Sequence, residues 1–139
     1  MKIVTTDLSL STGGNTDIID ITGHVEKKVR AGDLKNGQVT VFVPGSTGGL
    51  TTMEYEPNLA QDIKMTFEKI APSKDDYAHH LTWGDRNGHS HVRAAFLGPS
   101  LTIPFKGKRL TLGTWQQIVF IDFDTSPRNR KLIVQIIGD

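Results

Sequence analysis

Trp115–Phe123, WQQIVFIDF, and Lys131–Ile137, KLIVQII, are the stretches on which the fold turns. In the first, Val119, Ile121 and Phe123 alternate with Ile118 and Phe120, so an extended strand here is apolar on both faces. Such a strand needs cover on both faces. With only two helices legible elsewhere, a second subunit is expected to supply part of that cover, and the chain is expected to be a homo-oligomer.

Outward from these strands, extended segments punctuated by Gly, Pro, Asn and Asp dominate. Residues 2–10 alternate, and Thr16–Ile21 is expected to pair with them across STGGN. Gln38–Val43, QVTVFV, reads as a core strand stopped by Pro44-Gly45. Tyr77–Trp83, His89–Leu97 and Leu101–Phe105 read as further antiparallel strands. Thr22 caps a short helix with Val25 and Val29 on one face, ended by Gly32. A longer helix follows Pro57, where Leu59, Ile63, Phe67 and Ile70 form one apolar stripe closed by Pro72. The expected class is α+β: one domain over residues 1–139, a mostly antiparallel sheet curling into a sandwich or barrel, and two helices in the first half.

Composition limits the chemistry. The 139 residues carry 16 Lys and Arg against 15 Asp and Glu, and this near-neutral balance gives no field that would collect nucleic acid or an anionic membrane. There is no cysteine, which excludes disulfides, thiolate metal sites and a thiol nucleophile. The uncharged run Ala94–Phe105 is broken by Gly and Pro and falls short of the roughly 18 apolar residues of a membrane span. A cytoplasmic protein is the expectation.

Four of the five histidines fall between His79 and His91, in HHLTWGDRNGHSH. If His89 and His91 lie on one strand they share a face, and His80 can join them across the GDRNG turn. His80, His89 and His91 are therefore the candidate metal ligands, with Glu54 of TTMEYEP as the nearby carboxylate. Imidazole donors favour zinc over magnesium. Without a metal, His80 or His91 serves as general acid or base beside Glu54. His79 and His24 read as structural or solvated. The small-residue stretch PGSTGGLTT offers Ser46, Thr47 and Thr51 as an anion nest, and Arg128 and Arg130 add guanidinium donors for phosphate. In LGTWQQ, Trp115 reads first as core, whereas the Gln116–Gln117 pair suits a pocket wall.

The segments VFVPGSTGGLTTMEYEP, NGHSHVRAAFLGPSLTIPF, LGTWQQIVFIDFD and PRNRKLIVQIIGD, in this order and spacing, resemble the YjbQ family of small bacterial and archaeal proteins. The resemblance implies an α+β fold rich in antiparallel strands, a trimer, and a secondary thiamine-phosphate synthase activity. Its matching positions are Glu54, Asp62, His80, His91, Gly113, Thr114, Trp115 and Gln116, with His89 shared by part of the family. Gly48 and Gly49 stand where Ala or Ser is more usual. The functional expectation is an enzyme acting on a phosphorylated small molecule, with Glu54, His80 and His91 catalytic and with Ser46, Thr47, Thr51, Trp115, Gln116, Arg128 and Arg130 binding substrate. A metal-dependent hydrolase or isomerase, and a non-catalytic small-ligand binder, stand as alternatives.

Overall fold

The two ends of the chain meet in one sheet. In a computed structural model that describes all 139 residues, β1 (Lys2–Thr12) pairs antiparallel with β8 (Arg128–Gly138) along its whole length, from Lys2↔Gly138 to Thr12↔Arg128. Beyond β8 lie β3 (Asn36–Phe42), β5 (Ser100–Lys106) and the two-residue β6 (Arg109–Leu110), giving the order β1-β8-β3-β5-β6. A second sheet has β7 (Gln117–Asp122) between β2 (Asp17–Asp20) and β4 (Gly48–Met53). The α+β class with mostly antiparallel pairing holds.

Three layers follow from the two faces of β7. Ile118 and Phe120 point into the main core, with Leu8, Leu10, Val39, Val41, Leu132 and Val134 of the large sheet and Val25 and Val29 of α1 (Thr22–Ala31). Val119, Ile121 and Phe123 point the other way, into a smaller core with Phe67 of α2 (Pro57–Ile70) and Ala94 of α3 (Gly88–Leu97). The Phe67 and Phe123 rings meet edge to face at 4.8 Å. Both faces of β7 are thus covered within one chain, and they require no second subunit to cover them.

Three other expectations are corrected. His89–Leu97 is a helix, not a strand: Asn87-Gly88 starts it, Gly98-Pro99 stops it, and Arg93, Ala94, Ala95 and Leu97 are good helix formers. The helices therefore number three, one of them in the second half. Tyr77–Trp83 is not a strand either, but a 3-10 turn over Ala78–Leu81 with irregular flanks. Finally, β1 and β2 do not form a hairpin. Gly14, Asn15 and Thr16 all have positive φ (70°, 53° and 63°), and this bend carries the chain from one sheet into the other. A side chain on Gly14 would sit 2.5 Å from the Ser126 carbonyl.

Local chemistry sets the helix starts. Glu56 caps α2 with its carboxylate, accepting from the amides of Leu59 (2.6 Å) and Asn58 (2.9 Å), and Pro57 fills the first turn. Thr22 does not cap α1; its hydroxyl accepts from the Ile118 amide at 2.8 Å and ties the helix to β7. No helix of the structure is long and apolar enough to cross a membrane.

Candidate functional site

The loop Pro44–Thr47 and the first residues of β4 press against α3, and between them lies a cleft of about 270 Å³. Gly45, Ser46 and Gly48 line one side. His91, Ala94, Ala95 and Gly98, spaced i, i+3, i+4 and i+7 on one face of α3, line the other, with Pro99 at the end. Small residues are needed here because the backbones run close. A side chain at Gly48 would meet the Phe120 ring at 2.7 Å, and one at Gly49 would meet Leu97 at 2.8 Å. The Val43 amide to the Pro99 carbonyl (2.9 Å) and the Leu50 amide to the Gly98 carbonyl (3.1 Å) lock the loop to the end of α3.

Behind the loop stands a buried polar network. Arg130 donates from Nε and Nη2 to the two oxygens of Asp122, each at 2.8 Å, and from Nη2 to the Thr47 hydroxyl at 2.8 Å. Asp122 also accepts from the Thr12 hydroxyl (2.6 Å) and the Asp124 amide (3.0 Å). Burial opposes its charge, but the bonds from Arg130, Thr12 and the Asp124 amide hold its carboxyl below the usual range. Arg130 is pushed up by the hydrogen bond to Asp122, against its own burial. Its Nη1 has no partner in the chain and lies 3.3 Å from where a side chain on Gly45 would begin. Arg128 pairs with Asp124 at the same end of β8 and stays half exposed.

The histidines do not converge as a metal site. Successive helix positions are about 100° apart, so His89 and His91 diverge by roughly 200°. His89 turns inward, where its Nδ1, the Asn87 Oδ1 and the Ser90 Oγ have no partner in the chain. His91 turns to the cleft. His80 points its Nε2 at the Gly88 amide (3.1 Å), capping α3, and its Nδ1 faces the Tyr77 amide at 3.5 Å. The ring that does meet His91 is His79, centroid to centroid at 4.5 Å. No three His, Asp or Glu side chains are grouped to hold a metal ion. His79, read from sequence as structural or solvated, is therefore the neighbour that was missed. Its signal lay in the Asn-Gly start and Gly-Pro stop that make 88–97 a helix.

The other expected site residues divide between the two ends of β4. Ser46, Thr47, Arg128 and Arg130 belong to the His91 end. Glu54 is exposed in the loop past the far end of β4, six residues beyond Gly48, hence about 20 Å away along a strand. Trp115 is 75 % exposed, not core, and Gln116 beside it donates to the Thr52 hydroxyl at 3.1 Å. Thr51 sits half-buried in mid-strand opposite Val119. Glu54 and His91 therefore do not face one another within a chain.

Two expectations follow from these contacts. His80→Ala should lower stability by about 1 kcal/mol, the worth of a lost helix cap, and leave the His91 side chain in place. Urea unfolding with the His91 imidazole resonances as a second readout checks this; their loss in the folded variant would contradict it. The second concerns pH. Burial, with Arg93 adding to it, lowers His89 below its ordinary 6.5; burial and the His79 ring do the same for His91. The unfolded chain then binds these protons more readily. Stability is complete above pH 6.5 and falls as pH drops below it. Glu68, held at about 2 instead of 4.5 by the Ser73 amide and Arg93, adds a second loss between pH 4.5 and 2. Melting from pH 8 to 3 should show both declines. A flat midpoint between pH 7 and 5 would refute the histidine part.

The same chain-long pattern recurs in other proteins. Residues 6–139 match the family model described as UPF0047 protein YjbQ-like. The UPF0047 protein of Archaeoglobus fulgidus is 39% identical over 131 residues, 94% of this chain and 99% of that one, and the Methanothermobacter thermautotrophicus protein is 36% identical over 138 residues, 99% and 94%. A crystal structure of a YbjQ-like protein of unknown function from Sulfolobus solfataricus superposes with a TM-score of 0.93 at 32% identity, covering 99% of both chains. A YjbQ/UPF0047 protein of Clostridium acetobutylicum superposes at 0.87 with 37% identity, covering 95% of this chain and 99% of that one. With its fold matched along its whole length and its sequence above 30% identity to relatives of the same size, the chain belongs to the YjbQ-like UPF0047 family.

Proposed function

We propose that the chain binds the phosphate of a small molecule in the cleft between Gly45–Gly48 and α3 and acts on it with His91. The observation that carries this reading is His91 set in the cleft wall, with Arg130, which does not itself line the cleft, bringing its unpartnered Nη1 to 3.3 Å from where a side chain on the lining residue Gly45 would begin. A buried guanidinium with one free edge is a donor for a phosphate oxygen, and Ser46 adds a hydroxyl at the rim.

Burial and the His79 ring favour neutral His91 near pH 7, which makes it an acceptor of protons. This favours removal of a proton from water or a substrate hydroxyl, as in phosphoester hydrolysis. Thiamine phosphate formation, the activity that the resemblance implies, breaks a C–O bond to diphosphate and forms a C–N bond to the thiazole. Here Arg130, Arg128 and Ser46 would hold the departing diphosphate. A divalent metal, zinc before magnesium, fits this end only in part: His79 and His91 offer two imidazoles, where a catalytic zinc site takes three protein ligands. Glu54, Trp115 and Gln116 would join this site only from another copy of the chain, and a trimer belongs to the proposal on those terms.

The test is phosphate-ester binding followed by turnover. Titration with thiazole phosphate or a simple alkyl phosphate should shift the His91 imidazole and the Ala94 and Ala95 amide resonances saturably, and in His91→Ala the Ala94 and Ala95 shifts should report binding about tenfold weaker. Turnover is then assayed with the pyrimidine diphosphate and thiazole phosphate together, and with the phosphate ester alone. Binding without either product would leave a non-catalytic binder; absence of saturable binding would overturn the reading.

A further inference from the structure

The main core is open at one end. Val4 lies on the same face of β1 as the buried Leu8 and Leu10, yet it is 44% exposed. The reason is length. α1 has 10 residues and spans about 15 Å, whereas the 11 residues of β1 span about 36 Å, so the helix ends before it covers Val4. The uncovered end is a pocket of about 300 Å³. Val4 and Ile136, opposite each other in the β1–β8 ladder, form its floor, and Val29, Ala31 and Leu34 form its wall.

One cation faces this apolar space. Lys28 stands at the pocket with Nζ donating to the Thr6 hydroxyl at 3.3 Å, and it takes part in none of the chain's ion pairs. The carboxylates nearby in sequence or register are engaged or outside the lining: Glu26 reaches Arg30, Asp139 holds the N-terminal amine, and Asp33 does not line the pocket. Lys108, whose Nζ donates to the Gly32 carbonyl at 2.7 Å, adds a second positive charge at the end of α1. An apolar floor with one ammonium and one hydroxyl at its edge is complementary to an amphiphile carrying a single negative charge.

We infer that this pocket is a binding site, separate from the cleft at His91, for a small carboxylate amphiphile. Its apolar part lies over Val4, Val29, Leu34 and Ile136, and the carboxylate accepts from Lys28 Nζ and Thr6 Oγ1. The two sites lie in different layers, the cleft on the small sheet and α3, the pocket between the large sheet and α1. The inference therefore does not rest on the phosphate reading.

Sodium octanoate, octylamine and 1-octanol, titrated separately into the full chain with labelled Val, Leu and Ile methyls, test it by NMR. Octanoate should shift the Val29, Leu34 and Ile136 methyls saturably, with a dissociation constant of about 1 mM, ordinary for a ligand of this size. Octylamine, octanol and the partly exposed Lys28→Met variant with octanoate should each bind about tenfold more weakly. Because that variant changes no core residue, its methyl spectrum also reports that the pocket itself is intact. Equal affinity for the three probes, or no saturable shift with octanoate, would overturn the proposal. So would a Val4→Glu variant of lower assembled mass in sedimentation, which would make the pocket a contact between copies.

Discussion

Arg130→Met is expected to cost about 3–5 kcal/mol of folding stability, because it strands Asp122 as an unpaired buried charge. The side chains of Asp122 and Arg130 are 0% and 6% exposed, so neither can turn to water when its partner goes. The comparison with Asp122→Leu/Arg130→Met is the informative one. Removing both charges together lifts the desolvation penalty, and stability should return in part. It should not return fully, since the Thr12 hydroxyl, the Thr47 hydroxyl and the Asp124 amide would each lose a partner. Urea midpoints for the two single variants and the double variant check this. Additive losses would show that the pair is not coupled and would remove the structural reason for its burial.

Phe120→Ala should cost a similar amount, about 3–5 kcal/mol, by opening a cavity in the main core. Its ring is fully buried and packs directly under Gly48, where an added side chain would meet it at 2.7 Å. The loss should therefore reach the cleft as well. With the ring gone, Gly48 and the loop before it lose the surface that sets their distance from α3, and phosphate-ester affinity should fall even under conditions where the variant is folded. Phe123→Ala, on the opposite face of β7, should destabilise the chain comparably through the smaller core. Equal loss of ligand affinity in both variants would mean that the effect is global softening, not support of the loop.

These two residues also show what was legible in the sequence. The alternation of Ile118, Val119, Phe120 and Ile121 marked β7 as a strand with two apolar faces, and this was right. What covers those faces was not legible, because the cover includes α3, whose histidines and arginine at alternate positions imitate a half-exposed strand. Once 88–97 is helical, the HSH spacing changes meaning. Two imidazoles that share a face in a strand are nearly opposite in a helix, so His89 goes to the interior and His91 to the cleft. Local spacing could not choose between the two; the stop signal at Gly98-Pro99 favoured helix.

The polar residues at the site divide in the same way. Ser46, Thr47, Arg128 and Arg130 were singled out by type and do gather at one end of β4. Glu54 and Gln116 suit the same chemistry by residue type, but they stand past the far end of the extended strand β4 from the His91 cleft, which no residue-type argument anticipates. Asp122 is the anchor of the buried network. A carboxylate within an apolar strand is expensive to bury alone, so its pairing with Arg130, eight residues away, is the reading that the run IVFIDFD invites in retrospect.

The order of strands in the large sheet has a consequence for synthesis. β8 lies between β1 and β3, but it follows both in the chain by more than eighty residues. While the polypeptide is being made, β1 and β3 leave the ribosome with their facing edges bare and wait for the last strand to be inserted between them. Contacts at such sequence separation form slowly. During that interval two long edges rich in Val, Leu and Thr are open to other nascent chains, so the yield of folded protein should depend on temperature and on chaperone supply more than its final stability would suggest.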